Sequence, residues 1–540
     1  MTFRLVELRS GAPEREAVAT GIVAAGLAAI ALWAGPPGTD LAAHVYQRLF
    51  FLEHGFAIWN NFWYAGRYSF VTYSLLYYPL AALLGIKLLA LASIAAAAYA
   101  FSLLVVRQWA APGKLSARTF AVVWPAIVLS AAFPFLLGAA LALLALCALQ
   151  DGHRKRFGVL AVLALAASPL AFILLIVVAA GPAFVRRSPR SFVGPAAVLV
   201  AGCIAELLLV RLFPSGGRYP FHLSDLVPAL AFCGLGIAAT WRVERARVLG
   251  GVFVAYGLAC LAAYAVPSDV GSNISRLRYA AIPIAVLVAG VRGWKPARVV
   301  VPILALALVW NGTAVAHTIA RTAGDPAANE KYWQPAISFL QHNLSPSFRV
   351  EAVDTTGHWP AEYLPEAGIP IVRGWYRQDD FPENKLLYDE FGPRAYRAWL
   401  RELGVRYVVL AAATPDYSAK AEADLLRSGQ SGLVPIFRSP TVTVYKLPHA
   451  RPIVTGPAKA HVVSFIPSAA LLYVQRAGTY RVAVRYSQYW LAKPGCVRRS
   501  HNGMLLVSVR HGGLVSLVFR VSAERALETI AGLDAPRCSR

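Results

Sequence analysis

Apolar and polar positions follow two different rhythms, and the change falls near residue 320. Before it, long apolar runs alternate with short polar ones. After it, the runs are short, with alternating or amphipathic spacing. Residues 17–34, 86–106, 192–213, 226–241, 248–266, 279–291 and 299–316 are apolar enough to read as membrane-crossing helices, which need about 20 such residues. Shorter apolar runs cover 70–84, 119–132, 135–149, 157–167 and 170–184. The second and third of these meet at Phe133-Pro134, and the last two at Ser168-Pro169. Proline breaks helices, so each pair is expected to form two short or tilted helices. The pattern predicts about 11 apolar segments, some of them short or re-entrant.

Charge orients these segments. Arg4, Arg9 and Arg15 precede the first run, and basic loops recur at 153–156, at Arg186, Arg187 and Arg190, at 241–247 and at 292–298. Cytoplasmic loops collect Lys and Arg, so the N-terminus is expected inside. The loop at 36–70 and everything past 320 are then outside. The loop 107–118 carries two Arg and a Lys. To keep it inside, 70–84 is expected to be re-entrant or interfacial, its backbone covered by protein.

The three expected domains are a membrane domain at 1–320, an α/β domain at 321–440 and a β-sandwich at 441–540. In the second, helical spacing at 332–343 and 395–403 alternates with strand patterns at 349–353 and 406–410. In the third, short alternating runs from Thr441 onward are separated by Gly turns, the mark of an antiparallel sandwich.

Composition agrees. Apolar residues make up 57% of the 540 and charged residues 15%, against about 45–50% and 25% in soluble proteins. The net charge of +24 is explained by the basic loops, so no nucleic-acid partner is expected. No cleavable signal peptide is expected either, because residues 17–34 are long enough to remain as a span. Cys147, Cys203, Cys233 and Cys260 lie in apolar runs, while Cys496 and Cys538 lie in the polar C-terminal part, where an oxidising compartment would let them pair. No CxxC, HExxH or zinc-like spacing occurs, and no metal site is expected.

Candidate chemistry concentrates at 38–79. Thr39 is a helix N-cap candidate. Asp40, His44 and Arg48 follow at i, i+4 and i+8, on one face of a short amphipathic helix. Asp40 is either a general base for an acceptor hydroxyl or an acid satisfying a helix dipole. His44 and Arg48 together would hold a phosphate; the alternative for His44 is a paired or surface histidine. Trp59, Asn60, Asn61, Trp63, Tyr64 and Arg67 suit a sugar, with aromatic faces and amides for hydroxyls; the alternative is an interfacial aromatic belt. Arg276 and Arg278 sit in an outer loop, against the positive-inside pattern, and would bind a lipid phosphate or snorkel to headgroups. Glu206 is an acid inside an apolar run, with Arg211 five residues on; either a functional group or a structural pair is expected. Past 320, His358, Arg373, Trp375 and Arg377 are candidate contacts to the membrane site; the alternative, favoured for each residue singly, is a folded-domain core with ion pairs.

A leading span, an outer loop opening with Gly38-Thr39-Asp40 and His44, and the run from Trp59 to Pro79 together resemble the GT-C superfamily of membrane glycosyltransferases. More narrowly, they resemble bacterial YfhO-like membrane proteins and those labelled "6-pyruvoyl-tetrahydropterin synthase related". Phe133-Pro134-Phe135 with Gly138, Ser168-Pro169, Val270-Gly271 with Asn273 and Arg276, Tyr489-Trp490 and Gly503 add to it. The resemblance implies a polytopic α-helical GT-C-like membrane domain with an extracytoplasmic α/β plus β-sandwich part, in a bacterial inner membrane. It implies sugar transfer from a polyprenyl-phosphate donor to a cell-envelope glycan or lipid acceptor on the outer face, with Asp40 as base. The family's frequent paired acid is missing, since Leu41 follows Asp40, which leaves any divalent-metal role open. Expected partners are membrane lipids, the donor and the acceptor glycan. Rival readings are a flippase for lipid-linked sugars and a non-catalytic scaffold on the same fold.

Overall fold

The computed structural model describes residues 11–185, 193–215, 217–533 and 537–539. Arg4, Arg9, Arg186, Arg187 and Arg190, used above for orientation, lie outside the described residues. The chain divides into two compact units. The membrane unit comprises Met1–Leu41, Tyr73–Leu207 and Arg218–Ala323, and the strand-rich unit Ala42–Thr72, Leu208–Gly217 and Gly324–Arg540.

In chain order the helices to residue 322 are α1 (Ala12–Ala34), α2 (Leu41–His54), α3 (Tyr77–Leu84), α4 (Ile86–Trp109), α5 (Ala111–Val123), α6 (Phe133–Gln150), α7 (Arg154–Ala167), α8 (Pro169–Val185), α9 (Val193–Leu212), α10 (Leu223–Thr240), α11 (Arg247–Ala265), α12 (Ala281–Val291) and α13 (Ala297–Thr322). Among the described residues, eight helical segments are long and apolar enough to cross a membrane. Their residues are apolar nearly all round, as a lipid-facing or buried helix requires. The protein is a multi-pass membrane protein.

Several boundaries differ from the sequence expectation, and proline is the reason. Pro134 and Pro169 stand at helix starts, where the missing N–H is an orphan anyway. So α6 is one continuous span rather than half of a broken hairpin. The loop expected at 107–118 is mostly helix, because α4 runs to Trp109 and Ala110, at φ +52°, turns the chain directly into α5. Of the run at 70–84 only Tyr77–Leu84 is helical.

Within the membrane unit, α1 packs on α4, α4 on α6, α8 on α11 and α5 on α12. Small residues permit the close approaches. A Cβ on Gly21 of α1 would stand 3.3 Å from the carbonyl oxygen of Ala95 on α4, the kind of contact that drives helix association in lipid. Arg107 pairs with Glu14 at 3.1 Å and Asp151 at 3.0 Å, and Arg118 with Glu16 at 2.7 Å. Trp109 Nε1 donates to the carbonyl of Arg245 at 2.8 Å. These contacts gather the basic turns at the end of the bundle where α1 begins.

The strand-rich unit holds three sheets besides a two-stranded ribbon of β1 (Trp59–Asn60) and β2 (Arg67–Tyr68). A mixed sheet orders β3 (Arg349–Ala352), β4 (Val405–Ala411), β6 (Val442–Lys446) and β5 (Val434–Arg438) as β3-β4-β6-β5, with β3 and β4 parallel. A sandwich follows. One sheet runs β15-β12-β13-β10-β7, from Arg537–Ser539, Gly495–Arg499, Met504–Val509, Gly478–Arg485 and Val454–Thr455. The other runs β11-β14-β9-β8, from Trp490–Lys493, Gly513–Phe519, Ala469–Val474 and Ala460–Ile466. The strand at Val442–Lys446, expected to open the sandwich, instead completes the mixed sheet by pairing with β4 and β5. Cys496 and Cys538 oppose each other on β12 and β15 and form a disulfide.

Candidate functional site

Asp40 is positioned by backbone. Gly38 lies so close to residues 129–131 that a Cβ there would meet Ala131 Cβ at 2.6 Å. The Asp40 amide donates to the Ser130 carbonyl at 3.3 Å. Thr39 Oγ1 reaches the same carbonyl and Asp40 Oδ1, each at 3.4 Å. Thr39 is therefore not the helix cap expected of it; its hydroxyl ties the strap 38–40 to the 3-10 turn Trp124–Ser130.

Arg276 meets Asp40 from a second 3-10 segment, Gly271–Ala280. Tyr256 Oη on α11 donates to the Ile274 carbonyl at 3.0 Å and fixes that segment. Arg276 Nη2 stands 3.8 Å from Asp40 Oδ2, with each side chain less than one-fifth exposed. The distance is within ion-pair range and beyond a direct hydrogen bond, so the pair attracts without being locked. The Arg276 guanidinium also lies 5.4 Å from the centroid of Phe135 on α6.

Arg276 and Phe135 belong to the wall of an apolar cavity of about 270 Å³ inside the membrane unit. Phe101, Phe120, Leu143, Leu175 and Val252 continue that wall. A cationic head beside an apolar hollow fits an amphiphile with an anionic group. Arg278, two residues on, points elsewhere: it lies 5.5 Å from the Tyr279 ring, and its carbonyl accepts from Asn311 on α13 at 3.0 Å. The sequence candidates Asp40 and Arg276 thus come together. Among the described residues no three His, Cys, Asp or Glu side chains cluster as metal ligands do.

The other loop candidates fall in the strand-rich unit, most as core. His44 is fully buried on α2, its ring 5.9 Å from Trp375; Arg48 is half-buried on the same helix. Trp59 Nε1 donates to Asn61 Oδ1 at 2.8 Å, and its ring stacks on Phe519 at 5.0 Å. Asn60 Nδ2 donates to Tyr46 Oη at 3.1 Å, and Asn61 Nδ2 to the Ile466 carbonyl at 2.9 Å. Trp63 Nε1 donates to the Ala361 carbonyl and Tyr64 Oη to that of Tyr376, both at 2.9 Å. Asn60, Asn61 and Trp63 are fully buried, so no sugar reaches them, and the sugar-loop expectation is corrected at these positions. Their amides and indole satisfy buried partners, as buried polar groups must.

His358, Arg373 and Arg377 are likewise committed internally. His358 Nδ1 lies 2.7 Å from Asp354 Oδ2. Arg373 grips Asp380 through two nitrogens, at 3.1 and 2.5 Å. Arg377 reaches Asp416 at 2.5 Å and Asp354 at 3.6 Å. Burial alone would raise the Asp380 and Asp416 carboxyls, but Arg373 and Arg377 respectively outweigh it and hold both below their usual range. Next to them Glu351 and Glu422 go the other way. Burial and mutual repulsion push Glu351 well up, and burial pushes Glu422, which accepts from Tyr396 Oη at 2.6 Å, up to about 7.

Sequence reasoning missed a second cavity. About 590 Å³ in volume, it lies within the strand-rich unit, and its lining includes Arg67, Arg211, Asp379, Glu383, Arg485 and Arg499. Only Trp59, Tyr64 and Arg67 of this wall stood among the candidates, and Arg211 entered only as a possible mate for Glu206. The wall comes from five separated stretches of chain, a proximity without a local signal.

The fold is a multi-pass helical unit joined to a strand-rich unit. In known structures this architecture is matched by the arabinofuranosyltransferase AftD from Mycobacteria, seen by cryo-electron microscopy in two classes of one mutant. The first class aligns with a TM-score of 0.50 at 17% identity, over 80% of this chain and 41% of that one. The second gives 0.46 and 16%, over the same shares. This chain therefore spans well under half of its structural neighbour, and the likeness is one of fold. No family model and no curated protein matches the sequence.

Proposed function

We propose that the protein is a membrane glycosyltransferase that moves a sugar from a polyprenyl-phosphate donor to a cell-envelope glycan or lipid acceptor on the extracytoplasmic face. The observation that carries this reading is the Asp40–Arg276 pair beside the apolar cavity. The first isoprene units of the donor would occupy the cavity, and its phosphate would take Arg276 in a charge-assisted pair. That exchange releases Asp40 from its cation. The carboxylate then accepts the proton of the acceptor hydroxyl as its oxygen bonds to the anomeric carbon. The bond from that carbon to the phosphate oxygen breaks, and polyprenyl phosphate leaves with its charge against Arg276. Arabinofuranose, the sugar in the neighbour's name, is the first donor to try.

The test is transfer by purified protein in nanodiscs, given synthetic polyprenyl-phosphate sugars and a short glycan acceptor, with and without divalent cations. Transfer that Asp40→Asn abolishes supports the reading. Donor binding without transfer, unchanged in Asp40→Asn, would sink it in favour of a carrier or scaffold.

A further inference from the structure

The cavity of about 590 Å³ in the strand-rich unit plays no part in the chemistry above. Its size falls within the roughly 300–1,000 Å³ of ligand pockets, but its wall is more polar than most. Arg67, Arg211, Arg485 and Arg499 face two carboxylates, Asp379 and Glu383. Among the described wall residues, four guanidinium groups stand against two carboxylates, an excess of positive charge.

Two arginines form the floor with the acids. Arg67 Nε donates to Asp379 Oδ2 at 2.6 Å, and Arg485 Nη1 reaches Glu383 at 2.5 Å. Arg67 is 7% exposed, and its Nη1 has no hydrogen-bond partner among the described residues. A buried donor left so is costly, and a ligand acceptor would satisfy it. The other two arginines, Arg211 and Arg499, are exposed at the rim and are paired with no carboxylate among the described residues. Between floor and rim stand the neutral hydrogen-bonding groups of Thr72, Ser487, Gln488 and Asn502.

We infer that this cavity binds an anionic saccharide, a sugar unit bearing a carboxylate or a phosphate. Sugar hydroxyls donate and accept at once, which suits alternating guanidinium and carboxylate groups on the floor. The planar forks of Arg211 and Arg499 suit the ligand's anionic group. An unsubstituted neutral sugar would leave their charge unmatched. The inference stands apart from transfer, because its assay contains no donor.

The experiment measures binding to the full chain in nanodiscs by ligand-observed NMR and thermophoresis. The probes are an oligogalacturonate, glucose 1-phosphate, a neutral oligosaccharide of matched length, and inorganic phosphate. We expect one of the first two to bind at least about tenfold more tightly than both controls; which one identifies the anion. Arg211→Ala with Arg499→Ala, both at exposed positions that leave folding intact, should remove that preference, and Lys at both positions should restore part of it. The proposal is overturned if the neutral oligosaccharide binds equally well, if inorganic phosphate alone matches glucose 1-phosphate, if no probe binds, or if the double variant retains the preference.

Discussion

The protein has two concentrations of charge that look alike in sequence and differ in physics. In the strand-rich unit, Arg373, Arg377, Asp354, Asp380, Asp416 and His358 are buried and pair with one another. In the membrane unit, Asp40 and Arg276 stand 3.8 Å apart, partly exposed, beside an apolar hollow. Breaking the first network leaves a buried charge unpaired and harms the fold. The second sets a carboxylate and a guanidinium within ion-pair range but beyond a direct hydrogen bond.

The sharpest test of that contrast is Asp40→Asn. On the proposed function, transfer should fall by about 10²–10⁴-fold, while the thermal midpoint in detergent stays within a few degrees; a large drop in midpoint would make Asp40 structural. Asp416→Ala should show the reverse. It leaves the buried Arg377 short of its nearest carboxylate, and stability should fall by about 3–5 kcal/mol, read as a lost or lowered unfolding transition. A stable Asp416→Ala would mean that the network is not holding this unit together.

Smaller effects sharpen the comparison further. Arg276→Lys keeps the charge and loses the planar fork, so donor KM should rise about tenfold with kcat less affected. Asn61→Ala removes the bond to the Ile466 carbonyl and should cost about 1–3 kcal/mol of stability; activity per folded molecule should stay unchanged, which a sugar-binding Asn61 would not allow. The smallest effect is one of pH. Glu422 is raised, to about 7, so the folded state holds a proton that the unfolded state releases near 4.5. Its contribution is full below about 4.5 and is lost as pH rises through about 7. Asp380 and Asp416 are depressed, so theirs is lost only as pH falls below the ordinary aspartate range. Melting curves between pH 4.5 and 7.5 should therefore decline in the native chain and less steeply in Glu422→Gln, where the raised Glu351 still contributes.

Much of the architecture was legible in the sequence. Apolar runs longer than a bilayer core have few alternatives to helix, and Gly-punctuated alternation from Thr441 onward pointed to antiparallel strands, though the first of them, Val442–Lys446, joined the mixed sheet. Asp40 and Arg276 drew notice separately, the one from its place after the first span, the other as a cation against the positive-inside trend, and their meeting at 3.8 Å had no local signal. The sequence could not decide the roles of Asn60, Asn61 and Trp63, which are fully buried. Trp, Asn and Tyr serve a sugar or a satisfied core equally well, and the difference lies in partners such as Ile466, 405 residues from Asn61.

By itself, then, the sequence determined what depends on local periodicity: the spans, the strands, the change of character near 320, and which residue types were available for chemistry. Only the tertiary structure decided which polar groups were already satisfied. It drew the loop 42–72 into the strand-rich unit, set Asp40 against Arg276 across 236 residues of chain, and enclosed two cavities from distant segments. The reason is that a hydrogen bond or ion pair is fixed by distance in space, and residue spacing along the chain carries that information only within a helix turn or a strand pair.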